Sequence, residues 1–138
     1  MGWTIKNKCG ESGSDEVKAV LDTNAVIYLQ KGWLEVSLPP GEYLISVITE
    51  IELLSFAGLN NEQRSWLQRL IDDLDVVEID WAVKQCTIAL RRDHRLKLPD
   101  ALIAATAITR DAVLLTNDAQ LAAVPELRCQ MLKLRDVR

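Results

Sequence analysis

Short apolar runs alternate along the chain with stretches of helical period, and this alternation sets the expected fold. Val17, Ala19, Val20 and Leu21 form a mostly apolar, partly β-branched run, suited to a strand covered on both faces. Asp22 ends that run, Thr23 and Asn24 open a helix, and Ala25 to Leu29 continue it. Gly32 and the Leu38-Pro39-Pro40-Gly41 cluster break the chain, after which Glu42 to Val47 reads as a second strand. Ser46 or Thr49 caps a helix predicted from Ile48 and stopped by Gly58. Asn60 and Asn61 open an amphipathic helix whose stripe is Trp66, Leu67, Leu70, Ile71 and Leu74, fit for a core or an oligomer interface.

The second half repeats the theme. Asp75 to Ile79 is a third strand, and Asp80 caps a helix from Trp81 to about Arg92, with Ala82, Cys86, Ala89 and Leu90 as its apolar positions. Pro99 suits the first position of the next helix, which runs to Arg110, because it lacks the amide hydrogen that would be unpaired there. Asp111 to Thr116 is a fourth strand, Asn117 and Asp118 open a short helix through Ala122, and Pro125 breaks it. Met131 to Leu134 adds a fifth, edge-type strand. Strands separated by helices predict an α/β fold with a parallel sheet and right-handed crossovers.

Composition narrows the class. At 138 residues, 49% hydrophobic and 26% charged, the chain suits one globular domain that buries ~68–70% of its unfolded surface. No apolar run approaches the ~20 residues of a membrane helix. Residues 1–16 have no apolar core followed by a cleavage site and read as a flexible leader, leaving residues 17–138 as the domain. Three cysteines, Cys9, Cys86 and Cys129, with no CxxC, point to a reducing cytoplasm rather than a disulfide scaffold or a zinc site. The single histidine, His94, stands between Asp93 and Arg95 and is expected in solvent, so a Ser-His-Asp hydrolase is excluded. A net charge of −4 argues against a bulk electrostatic nucleic-acid binder, yet is compatible with an acidic cluster neutralised by metal.

The chemistry lies in where the acids fall. In a strand-helix-strand unit, strand carboxyl ends and helix amino-terminal turns share one edge of the sheet. Asp22 and Asp118 follow strands, Asp100 lies in a helix's first turn, and Glu52 lies about one turn into the helix after the second strand. All four are expected at one rim, where like charges repel unless a hard divalent cation such as Mg²⁺ or Mn²⁺ holds them. Such a site polarises phosphate oxygen and makes hydroxide from water, which is the chemistry of phosphodiester cleavage. The competing reading is local, since acids at helix starts also serve as caps and dipole partners. The basic run from Arg91 to Lys97 has two readings as well, a helix end complementing its dipole or a grip on phosphate backbone.

Other phosphoryl chemistries fail on their residues. No glycine is followed by lysine and then serine or threonine, so a Walker loop is absent. A haloacid-dehalogenase-type phosphatase needs an aspartate where Asn24 stands, and a response-regulator receiver needs an acidic pair where only Asp22 ends the first strand.

VLDTN at the first strand, ISVITEIELLSF after the second, KLPDALIAATA at the late helix and LLTND after the fourth strand resemble the PIN-domain ribonucleases, in particular VapC-type toxins. The resemblance spans Val17 to about Leu134 and rests on four motifs in order and spacing. It implies a three-layer PIN-like fold, a parallel sheet of about five strands in the order 3-2-1-4-5 flanked by helices, and Mg²⁺- or Mn²⁺-dependent endoribonuclease activity leaving a 5′-phosphate and a 3′-hydroxyl. Residue by residue, Asp22, Asp100 and Asp118 match metal-binding acids, and Glu52 matches the acid that binds metal or orients water, with Glu50 in reserve. Thr116 is a hydroxyl support or substrate contact, and Arg91, Arg92, Arg95 and Lys97 are RNA-backbone contacts. The expected partners are an RNA substrate, a cognate antitoxin and a second copy of the chain in a cytoplasmic homodimer. The alternatives are a non-catalytic PIN-fold module that binds RNA or protein, and a DNA-directed nuclease, for whose structure-selecting elements so short a chain has little room.

Overall fold

The structure, a computed structural model, describes residues 17–136. Its elements are β1 (Val17–Leu21), α1 (Thr23–Lys31), β2 (Gly41–Ser46), α2 (Val47–Leu54), α3 (Asn61–Asp72), β3 (Asp75–Val77), α4 (Trp81–His94), α5 (Leu98–Thr109), β4 (Val113–Leu115), α6 (Ala119–Ala122) and β5 (Cys129–Gln130). The five strands form one parallel sheet in the order β3-β2-β1-β4-β5, as the resemblance implied.

Because side chains alternate across a strand, the sheet sorts its apolar residues onto two faces. Val20, Leu44 and Leu114 pack with the residues of α4 and α5, whereas Ala19, Leu21, Tyr43, Ile45 and Leu115 pack with those of α1 and α3. This is why β1 reads as an unbroken apolar run from Ala19 to Leu21, with Ala19 and Val20 both fully buried. Helix α5 is buried over every residue from Ala101 to Ala107, and its alanines let it lie close against the sheet. Gly41 opens β2 opposite Val17, and a Cβ there would sit 2.3 Å from the Val17 carbonyl oxygen, so only glycine permits the pairing.

Several boundaries shift from the sequence expectation. Val47 begins α2 rather than ending β2, Ser46 and not Thr49 caps that helix, and the helix stops at Leu54 instead of running to Gly58. The buried face of α4 is Val83, Thr87 and Leu90 with Cys86 half-buried, while Ala82 is exposed, so the face is rotated by about one residue. Asp111 adopts a left-handed turn, φ 54°, and keeps β4 to Val113–Leu115, and β3 ends at Val77.

The fifth strand is Cys129–Gln130, not Met131 to Leu134. Leu114 pairs with Cys129, and two residues past Gln130 the Asn117 side chain takes both backbone groups of Leu132, donating to its carbonyl at 3.0 Å and accepting from its amide at 2.7 Å. Leu134 then makes an isolated antiparallel bridge with Leu34, outside the sheet. His94 is partly covered rather than free in solvent, its Nε2 lying 3.0 Å from Glu126. Cys86 and Cys129 are free and half-buried beside the core, and Cys9 and the leader lie outside the described residues. Among the described residues no helix is long and apolar enough to cross a membrane.

Candidate functional site

Strand β1 sits between β2 and β4, where the strand order reverses, and its carboxyl end opens the crevice in which sheets of this kind bind ligands. Asp22 stands there, 6% exposed. Its Oδ1 accepts the Ala25 amide at 2.7 Å and so caps α1, which means the capping reading and the site reading both hold for one side chain. The Thr116 hydroxyl, at the end of β4, also donates to Asp22 and in turn accepts the Asp118 amide at 3.1 Å. Thr116 is 1% exposed, so it lies beneath the acids and not on a surface a substrate could touch.

Asp118 caps α6 through one oxygen, Oδ1, which accepts from Gln120 at 2.8 Å and Leu121 at 3.3 Å. Asp100 is carried in the first turn of α5. Glu52 lies on α2, where its Oε1 accepts the Thr23 hydroxyl at 2.8 Å. Since Thr23 spends its only hydroxyl proton there, the 3.2 Å contact between Thr23 and buried Thr49 is donated by Thr49, and a Thr49-Thr23-Glu52 relay fixes the carboxylate.

All four acids line one cleft of about 850 Å³, and Glu50 does not. Burial raises the Asp22 pKa against its two hydrogen bonds, and the charges of Asp118 and Asp100 add to the rise. Asp100 is also raised, first by burial and then by Asp118 and Glu52, with Lys97 opposing. The acids therefore feel one another across the cleft, although among the described residues no three acidic, histidine or cysteine side chains close into a ready metal-ligand cluster. Oxygen donors under mutual repulsion suit a hard cation that keeps part of its water shell, which is how Mg²⁺ is usually held by one or two carboxylates.

The sequence reading did not anticipate the cleft's apolar wall, where Ile27, Phe56, Leu59 and Trp66 come together from α1, the turn after α2, and α3. Only Phe56, a large apolar residue past the end of α2 and 64% exposed, carried a local signal. The Thr23 relay and the Asn117 clasp were likewise missed, because their partners are distant in sequence. None of the predicted basic contacts, Arg91, Arg92, Arg95 and Lys97, lines the cleft, although Lys97 acts electrostatically on Asp100 from beside it; the lysine in the lining is Lys31.

A parallel sheet that gathers carboxylates where its strand order reverses defines an α/β protein with its acids at the crevice where sheets of this kind bind ligands. The chain belongs to the PIN-domain family, whose pattern matches residues 19–127. Among solved structures it is similar to a toxin-antitoxin complex from Klebsiella pneumoniae, with 30% identity, 79% of this chain and 94% of that chain covered, and a TM-score of 0.67. It is similar also to VapBC-1 from nontypeable Haemophilus influenzae, with 25% identity, coverage of 83% and 98%, and a TM-score of 0.66. A DNA-bound VapBC from Salmonella typhimurium shares the fold at 23% identity, coverage of 83% and 98%, and a TM-score of 0.70. No curated protein sequence matches the chain. The resemblance of its four motifs to VapC-type PIN domains is thus borne out.

Proposed function

We propose that the chain is a Mg²⁺- or Mn²⁺-dependent endoribonuclease, acting in the cytoplasm as the toxin of a toxin-antitoxin pair. The observation that carries this reading is the meeting of Asp22, Glu52, Asp100 and Asp118 in one cleft, with Asp22 buried and its ionised form disfavoured by burial and by its neighbours. A bound divalent ion would relieve that repulsion, polarise a phosphate oxygen and supply hydroxide at neutral pH. Asp22, Asp100 and Asp118 would hold it, directly or through water.

The chain's own groups do the rest. Glu52, oriented by Thr23, is set to take a proton from an attacking water, and cleavage of the P–O3′ bond would leave a 5′-phosphate and a 3′-hydroxyl. Lys97 offers a cation at the edge of the acids for a neighbouring phosphate. The toxin role is supported by the Klebsiella pneumoniae relative, whose name pairs a toxin with an antitoxin, and a homodimer is part of the same reading.

The test is manganese-dependent cleavage of RNA by the purified chain, with Asp22→Asn and Asp100→Asn as controls whose fold is checked by circular dichroism. Loss of cleavage in both, and relief of growth arrest by coexpressing the neighbouring gene's product, is the expected outcome. A metal-replete protein inert on every RNA offered would instead favour a binding module on the same fold.

A further inference from the structure

The outward face of α4 has a composition unlike the chain's average. At 100° per residue, Val83, Thr87 and Leu90 turn to the core, and the opposite side presents Trp81, Gln85, Ile88 and Arg92, with Arg95 at the helix end and Lys84 and Arg91 on the flank beside them. Trp81 is 72% exposed and Ile88 50%, large apolar groups left in water. Among the described residues of α4, no carboxylate stands at the centre of that side. Asp93, on the flank, pairs with Arg92 at 3.0 Å in an exposed contact that phosphate can displace, and Arg91 donates to the Leu96 carbonyl at 3.3 Å. In a chain of net charge −4 this is a local reversal of sign.

The face also leads to the acids. Arg110, ending α5, pairs with Asp80, opening α4, at 3.0 Å, so the two helices run antiparallel and the other end of α4 enters the first turn of α5, where Asp100 stands. The cations thus continue through Arg95 to Lys97, which acts on Asp100. The helix extends about 20 Å back from there to Trp81 at ~1.5 Å per residue.

We propose that this face carries single-stranded RNA flanking the scissile bond, with phosphates on Lys84, Arg92 and Arg95 and a base stacked on Trp81. A second copy of the chain docked face to face about a two-fold axis would set these cations against their own counterparts, an unfavourable contact. Flat aromatic and cationic groups on one helix face, joined to the acid cleft by the short Arg95-Leu96-Lys97 link that leads to Asp100, match a single-stranded polyanion with stackable bases. The choice of RNA rests on the nuclease reading above. It makes RNA with a free single-stranded flank the preferred substrate class, and short oligonucleotides poor substrates.

Fluorescence anisotropy of a labelled oligouridylate with the full chain in EDTA, where metal-dependent cutting cannot occur, tests it. Trp81→Ala should weaken binding about tenfold and Trp81→Phe should retain most of the affinity. The Lys84→Glu, Arg92→Glu pair should lower the salt-dependence slope by about 1.4, whereas Arg128→Glu, off this face, should leave it unchanged. Parental affinity in both Trp81→Ala and the double variant would overturn the proposal. So would dissociation of a dimer by Trp81→Ala with RNA affinity intact, which would give the face to a second copy. A protein that binds oligouridylate through this face yet cuts no RNA with manganese sinks the nuclease reading and leaves the face as an RNA-binding surface with no scissile bond to flank. Cleavage of long RNA at parental rates by both variants sinks this inference alone.

Discussion

Thr116 donates its hydroxyl to the carboxylate of Asp22 while accepting the backbone amide of Asp118, so one buried oxygen ties together the acids that follow β1 and β4. Thr116→Val keeps the shape and removes both bonds. Loss of the hydrogen bond that holds the Asp22 pKa down should move the acid limb of the RNA-cleavage pH profile to higher pH and cost about 1–3 kcal/mol of stability. Thr116→Ser should restore both. An unshifted acid limb in the valine variant would show that Thr116 does not tune Asp22.

Asp22 itself should be a stability liability in metal-free protein. Its folded pKa lies above the ordinary 3.8 because of burial, so it favours folding while protonated, below the unfolded value, and loses that contribution as pH rises through the folded value. Asp22→Asn keeps a cap for α1 and removes the charge. In EDTA it should raise Tm at neutral pH, and the gain should vanish as pH falls toward 3.8. Equal Tm at neutral pH would mean that burial does not disfavour the carboxylate.

Divalent metal should reverse that ranking. Manganese at about a hundred times its dissociation constant should stabilise the parent by about 2.7 kcal/mol, and Asp22→Asn combined with Asp100→Asn should lose the response. Thermal unfolding with and without MnCl₂ reads this directly, and an equal shift in both proteins would place the ion elsewhere.

The Thr49-Thr23-Glu52 relay predicts a kinetic effect beyond the about 1–3 kcal/mol of stability lost when the buried Thr49 hydroxyl is left without its acceptor. Thr23→Val frees Glu52, which is exposed, and should lower the RNA-cleavage rate about ten- to a hundredfold, whereas Thr23→Ser should retain most of it. Unchanged turnover in the valine variant would remove Glu52 orientation from the mechanism.

Gly41→Ala should destabilise by at least about 2 kcal/mol, because the added methyl meets the Val17 backbone and the central β1–β2 pair must shift. Urea unfolding measures it, and a neutral result would show that β2 can open without loss.

What the sequence determined by itself was local. A short apolar run specified β1, the period of Trp66, Leu67, Leu70 and Leu74 specified α3, and Asp22, Asn60, Asp80 and Asp118 announced helix starts, because periodicity and capping act within about four residues. The placement of the acids at one rim followed from the handedness and direction of strand-helix units. Tertiary structure alone decided what depends on register between distant segments. Thr23 reaches Glu52 across 29 positions and Asn117 takes Leu132 across 15, the second of these ending β5 where a short apolar run had no means to mark its own limits. The rotation of α4 that buries Val83 and leaves Trp81 in water belongs to the same class, since whether a helix turns one face or its neighbour inward is settled by the surface it packs on.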